Sequence, residues 1–295
     1  MSEHVSSRTS PLSRPGTRIP LPVTLTALTA LTVLTMLAIL ATALPSSAAA
    51  STTAGRHTAK PTVVLVHGAF ADASSWNKVV ARLQEDGYPV IAPANPLRDL
   101  AGDSAYLSSV VSSIDGPVIL VGHSYGGAVI TNAATGHPNV KALVFVAAFA
   151  PEEAESALDL TGRFPGSRLP TSLITREYPL PGGGTGTDAY ITPAAFRAAF
   201  AADLPARDTA LMAATQRPAA LAALGSPSAA PAWKTIPSWY LVAGADQAIP
   251  PAAQRFMAKR AGARTSEVRE ASHVIMISRP DATAAVITAA ARAIR

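Results

Sequence analysis

Residues 117–127 read Pro117-Val118-Ile119-Leu120-Val121-Gly122-His123-Ser124-Tyr125-Gly126-Gly127. A short β-branched run, then Gly-x-Ser-x-Gly, then a helix-like stretch describes a strand that turns sharply into a helix with a serine at the bend. The bend makes a specific demand. Its serine stands above the sheet with the hydroxyl exposed, and the first amides of the helix aim at the same point. Glycines two before and two after the serine leave room for the turn, because a Cβ at either place would collide with the neighbouring strand or helix. The pentapeptide draws its weight from its place behind a strand of buried type.

Working outward, strand and helix alternate from Thr62 onward. Strands are expected at Thr62–Val66, Tyr88–Ala92, Val118–Val121, Val140–Ala147, Ser238–Ala243 and Arg264–Glu270. Helices are expected at Ser75–Asp86, Asp103–Ser113, Tyr125–Thr135, Ala252–Ala261 and Asp281–Arg295. Nearly all-apolar strands separated by helices imply an α/β fold: a six-stranded, mostly parallel sheet covered on both faces. Right-handed crossovers then gather the carboxyl ends of the strands at one edge, where the sites of open α/β sheets lie. The rhythm breaks between Phe149 and Pro237. That stretch carries helical patches at Pro193–Ala202 and Arg207–Ala214 and the glycine-rich Pro181-Gly182-Gly183-Gly184. Leu211, Met212, Leu221 and Leu224 need burial, so residues 150–236 read as an inserted helical lid rather than a linker. The core is then 61–149 together with 237–295, and no internal repeat is present.

The chain has 295 residues, 48% hydrophobic and 15% charged, enough for one sizeable core and too apolar for disorder. It holds no cysteine, which excludes disulfides and thiolate metal sites. Arg8, Arg14 and Arg18 precede a stretch without charge from Ile19 to Gly55, and Ala48-Ala49-Ala50 supplies small residues for a cut. Basic, apolar, then small-residue segments describe a secretory signal peptide over residues 1–50, cleaved near Ala50, with 51–60 as a flexible lead into the core. The alternative is a membrane anchor over residues 21–44. Threonines at 24, 26, 29, 32, 35 and 42 and Pro45 favour cleavage, so membrane contact is expected only through the export signal. Loss of residues 1–50 removes three of the 24 basic and one of the 19 acidic side chains and leaves a balance of +3. No Lys/Arg run accumulates on any expected helix, so nucleic acid is not an expected partner.

A serine hydroxyl is a poor nucleophile at neutral pH and needs a base held by a carboxylate. Behind Ser124 only His137 and His273 remain. His137 lies in the helix-ending turn Gly136-His137-Pro138, on the far edge of the sheet, whereas His273 follows the last strand at the edge that carries Ser124. Asp246, two residues past Gly244 at the end of the fifth strand, is the favoured acid; Glu152 or Glu153 behind the fourth strand is the rival. Backbone N–H groups of Ala69, in His67-Gly68-Ala69-Phe70 after the first strand, and of Tyr125 would hold an oxyanion. His67 and His123 read as bracing residues without a proton-transfer role. Phe70 and Phe149 adjoin these loops and are candidate pocket residues. Nothing in the pattern requires a metal or a cofactor.

The His67-Gly68-Ala69 loop, the Gly-His-Ser-Tyr-Gly-Gly elbow, the Asp246…Ile249-Pro250 segment and Ser272-His273 together resemble the α/β-hydrolase superfamily from Thr62 onward. The sheet, which begins at what is usually the third strand, resembles the subgroup of plant-type methyl esterases, hydroxynitrile lyases and related bacterial esterases. In the lyases a threonine follows the first-loop histidine and a lysine follows the catalytic histidine; here those places hold Gly68 and Val274. Without a cation beside the imidazole a departing cyanide is poorly stabilised, so the resemblance implies ester hydrolysis instead. Relatives that act as dehalogenases or epoxide hydrolases carry aspartate where Ser124 stands. The expectation is an exported serine hydrolase that cleaves small-molecule carboxylic esters through an acyl-enzyme. The alternatives are acyl transfer, perhydrolysis or amide cleavage on the same three residues, or a non-catalytic protein that binds a small ligand.

Overall fold

β-Branched and leucine side chains buried on both faces of a strand favour a parallel sheet, and the core is built on such runs. A computed structural model describes residues 59–294; the export segment read in residues 1–50 lies outside them. The core elements, in chain order, begin with β1 (Thr62–Val66), α1 (Asn77–Glu85), β2 (Val90–Ile91), α2 (Leu100–Ser112), β3 (Val118–His123), α3 (Tyr125–Ala133) and β4 (Val140–Val146). An insertion follows, with α4 (Ala157–Gly162), α5 (Leu169–Ser172), β5 (Leu173–Pro179), β6 (Thr185–Ile191), α6 (Pro193–Phe200), α7 (Ala206–Thr215), β7 (Ala219–Ala220) and α8 (Leu221–Gly225). The core resumes with β8 (Ser238–Ala243), α9 (Pro251–Arg260), β9 (Arg264–Val268), α10 (Ile275–Ser278) and α11 (Pro280–Ala293).

Six strands pair in the order β2-β1-β3-β4-β8-β9, every pair parallel. The chain winds to one side from β1 to β2 and to the other from β3 onward. The β1/β3 junction is therefore the point where a crevice opens beyond the strand ends. Central β3 is buried along its whole length, whereas edge strand β9 (Arg-Thr-Ser-Glu-Val) is mostly exposed, and its charges discourage further pairing. Helix ends follow local chemistry. Asp99 caps α2 by accepting from Gly102 N at 2.7 Å, and Ser156 and Asp159 form a reciprocal capping box on α4.

The insertion departs from the all-helical reading. Its helices α6 and α7 coincide with the two expected patches, but β5, β6 and β7 form a three-stranded antiparallel sheet beside them. The glycine-rich segment is the turn between β5 and β6, where Gly183 and Gly184 take φ of +91° and +81°. Leu211 also departs from expectation: it is 61% exposed, while Leu224 is buried and Met212 and Leu221 are partly so. Helix α7 buries Thr209 and Ala213, one turn apart, and Leu211, about 200° around the axis from Thr209, faces away.

An ion-pair cluster ties the start of the insertion to α9. Arg260 donates to both oxygens of Glu155 (2.9 and 2.6 Å) and to Ala150 O, and Arg163 adds a bond of 3.0 Å. Burial, the largest single influence, would raise the Glu155 pKa, but the bonds from Arg260 and Glu152 N together with the Arg260 and Arg163 charges outweigh it and hold the carboxyl below its ordinary value. A depressed native pKa contributes stability that is full above the unfolded value of about 4.3 and is lost as pH falls through the native one. Wild type is therefore expected to melt higher than Glu155→Gln at pH 7. The gap should close as the pH drops through the acid range below 4.3, as followed by thermal melts in a pH series.

Candidate active site

Strand β3 delivers Ser124 to the crevice in a conformation few side chains adopt, with φ 53° and ψ −125°. Residues are held in such a region only where the surroundings over-determine them. Here the cause is the closeness of three elements. A Cβ on Gly122 would lie 2.5 Å from Gly126 O, and one on Gly126 would lie 2.4 Å from Val66 O of β1. The turn is locked further by Gly127 N and Phe149 N, each donating to Ser124 O at 3.0 Å. Tyr125 is the first residue of α3, so its N–H has no partner within the helix and sits at the positive end of the helix dipole.

Beyond β8 and β9 lie Asp246 and His273, both buried to within 1%. Four N–H groups converge on the Asp246 carboxylate: Ala248 N (2.7 Å) and Ile249 N (2.9 Å) on Oδ1, Gln254 Nε2 (2.7 Å) and His273 Nδ1 (2.7 Å) on Oδ2. A carboxylate accepts only, so Nδ1 of His273 carries the hydrogen and Nε2 of the neutral ring is left as an acceptor. That Nε2 has no hydrogen-bond partner, and His273 lines the same cavity as Ser124. The imidazole packs against the rings of His123 (ring centres 4.6 Å apart) and Phe200 (4.9 Å).

The other histidines have structural partners. His67 donates from Nδ1 to Gly68 O (3.0 Å) and accepts Asn95 N at Nε2 (2.9 Å), while Asn95 Nδ2 returns to His67 O. Burial lowers the His67 pKa, so the ring braces the loop in its neutral form. His123 is fully buried and held well below its ordinary value, by burial first and then by neighbouring His273; its Nε2 donates to His273 O. His137 pairs with Ser108 Oγ beyond α3, before β4, at the opposite sheet edge. Glu152 pairs with Lys234, Glu153 is exposed, and neither approaches His273, whose Nδ1 already faces Asp246.

The cavity encloses about 120 Å³. Ala69, Tyr125, Phe70 and Phe149 all line it, and the insertion contributes Leu158, Phe200 and Leu224 among others. Among the described residues no Asp, Glu, Lys or Arg side chain lines it. Ala69 N donates to no other group among the described residues. The Tyr125 hydroxyl is anchored on Asp103 Oδ2 at 2.8 Å; burial pushes the phenol up, and the Asp103 charge adds to it. Phe70 itself takes φ 61° and meets Phe200 edge-on at 6.1 Å. Among the described residues no group of three or more His, Asp or Glu stands together as a metal set.

Sequence reasoning singled out the serine, the imidazole, the carboxylate and the two amides, and the structure brings them to one rim. It missed Gln254, Asn95, Asp103, Phe200 and Asp203. Only Gln254 left a trace: it is a polar residue on the face of α9 that buries Ala253, Met257 and Ala258. A buried hydroxyl, an imidazole with a free acceptor nitrogen, a carboxylate fixing the tautomer and the amides of two cavity-lining residues are the parts that can activate an oxygen nucleophile and hold an oxyanion.

Comparison with known proteins gives the family and the fold. The model of the alpha/beta hydrolase family matches residues 63–286. Methylesterase 1 of Arabidopsis thaliana is 26% identical over 239 residues, which cover 74% of this chain and 90% of that protein. A carbendazim hydrolyzing esterase of Nocardioides sp. (strain SG-4G) is 34% identical over 110 residues, or 33% of this chain and 46% of that one, so the match spans less than half of the relative. Among solved structures, polyneuridine aldehyde esterase superposes with a TM-score of 0.67 at 23% identity, covering 78% of this chain and 98% of its own. An Arabidopsis methylesterase gives 0.65 at 20% identity, with coverage of 79% and 99%. At those identities the structural likeness speaks for the fold.

Proposed function

The chain belongs to the α/β-hydrolase family, and from that premise we propose that it is an exported serine hydrolase that cleaves carboxylic esters through a Ser124–His273–Asp246 triad. Ser124 Oγ attacks the ester carbonyl as His273 Nε2 takes its proton. Asp246 holds the imidazole in the right tautomer and stabilises its cationic form. The amides of Ala69 and Tyr125 receive the tetrahedral oxyanion. The alcohol departs with the proton from His273, and water then opens the acyl-enzyme along the same route. The observation that carries this reading is the bond from His273 Nδ1 to a fully buried, four-fold satisfied carboxylate, which leaves Nε2 without a partner on a ring that lines the same cavity as Ser124. Most of the curated relatives are named esterases, a methylesterase and a carbendazim hydrolyzing esterase among them. Export rests on the basic, apolar and small-residue order of residues 1–50.

Cavity size narrows the substrate. About 120 Å³ with apolar walls is close to the ~150 Å³ that holds one benzene. Activity on nitrophenyl esters of graded acyl length is expected to be highest for short, uncharged acyl groups and to fall steeply for long chains. No turnover of any ester across the panel, or preference for the longest, would sink this reading.

A further inference from the structure

Building on the triad proposed above, we infer that one corner of the insertion, Phe200–Leu204, is a clasp that holds the base in place, with Asp203 as a positioning residue that acts on His273 through Ser272. The core secures the loop before His273 from below: Ala245 N donates to Ala271 O (3.0 Å), and His123 Nε2 donates to His273 O (3.0 Å). From the insertion, the Ser272 hydroxyl donates to Asp203 Oδ1, and the Phe200 ring packs against the imidazole as His123 does from the core. Two of the contacts that hold the base therefore come from a single corner, from residues three positions apart in the chain.

The corner is braced by its own bonds. Ala201 N donates to Arg197 O (3.0 Å), Leu204 N to Ala201 O (3.1 Å) and Arg197 Nε to Leu204 O (3.1 Å). Ala201 is fully buried and Leu204 nearly so, which seats the corner against the core. Such a unit engages or releases the base as a whole. The Asp203 carboxylate is half-buried, and its second oxygen is buried with no partner. Folding gains little from that arrangement, whereas fixing the residue ahead of the base gives it a use. With the corner seated, the imidazole has two walls and its loop has tethers on both sides. With the corner lifted, one wall and one tether are lost, and the Nε2 geometry relaxes. Full activity then belongs to the state in which the insertion is seated.

The test measures steady-state kinetics of full-length Asp203→Ala, Ser272→Ala, the double variant and Asp203→Asn on one short nitrophenyl ester. The loss is expected in kcat rather than KM, by about ten- to a hundred-fold for either single variant. The double variant should be no worse than the singles, because both break one contact. Asparagine still offers an oxygen to the Ser272 hydroxyl, so Asp203→Asn should recover most of the rate. Thermal melts check folding, and if Asp203→Ala melts early, the smaller change Ser272→Ala carries the test. Wild-type kcat in either single variant, a loss confined to KM, additive losses, or no recovery with asparagine would overturn the clasp. Covalent labelling of wild-type Ser124 by a fluorophosphonate separates this outcome from failure of the triad itself.

Discussion

Ser124→Ala is expected to lower turnover about a million-fold, or about 8 kcal/mol of transition-state stabilisation, with the fold intact. The size follows from the way the three groups act. Without an oxygen to accept the acyl group, a base and a carboxylate have nothing to activate, and only the aimed amides and the apolar cavity still act on the bound ester. The fold survives because the Ser124 hydroxyl makes no hydrogen bond among the described residues; the turn is held instead by its carbonyl, which accepts from Gly127 and Phe149. Alanine keeps that carbonyl and tolerates the φ of 53° no worse than serine does. A measured kcat within a hundred-fold of wild type would mean that another group is the nucleophile.

His273→Ala should cost about as much, since removing either serine or histidine from a unit of this kind disables the whole. Asp246→Asn should fall less far, by about ten-thousand-fold, through the wrong tautomer. The hydrogen-bond pattern says why. Oδ1 of Asp246 accepts from two backbone amides, which would claim the oxygen of an asparagine. Its NH2 group would then face Gln254 Nε2 and His273 Nδ1, two groups that now donate. The imidazole would relieve the clash by moving its proton to Nε2, the atom needed as the base. If Asp246→Asn were nearly silent while Glu152→Gln abolished turnover, the acid would have to be reassigned to the loop behind β4.

What could be read along the chain was local. Val118–Val121 and the glycines around Ser124 encode their turn within eleven residues, because the steric demand of the bend is met by neighbours in sequence. His273 could be placed by counting strands, since a parallel sheet brings every carboxyl end to one edge. The strands β5 and β6 hid for the opposite reason. Leu-Ile-Thr-Arg-Glu-Tyr-Pro is mostly exposed, so no apolar alternation marks it, and its pairing with Thr185–Ile191 closes around a glycine turn that reads equally as a loop. Leu211 was misplaced because helical spacing allows two faces and only packing against α6 decides between them. Gln254, Phe200 and Asp203 act across 8, 73 and 69 residues of chain on Asp246, His273 and Ser272 respectively. The two long-range contacts leave no local pattern, and Gln254 shows only as a polar residue on the buried face of α9.

Mass-spectrometric mapping of a fluorophosphonate adduct tests most directly the proposed activation of Ser124 by His273 in an otherwise apolar cavity. A single adduct on the peptide that carries Ser124, absent from Ser124→Ala and formed far more slowly in His273→Ala, is the predicted result. Folded protein that takes up no label, or a label on another residue that persists in Ser124→Ala, would contradict it.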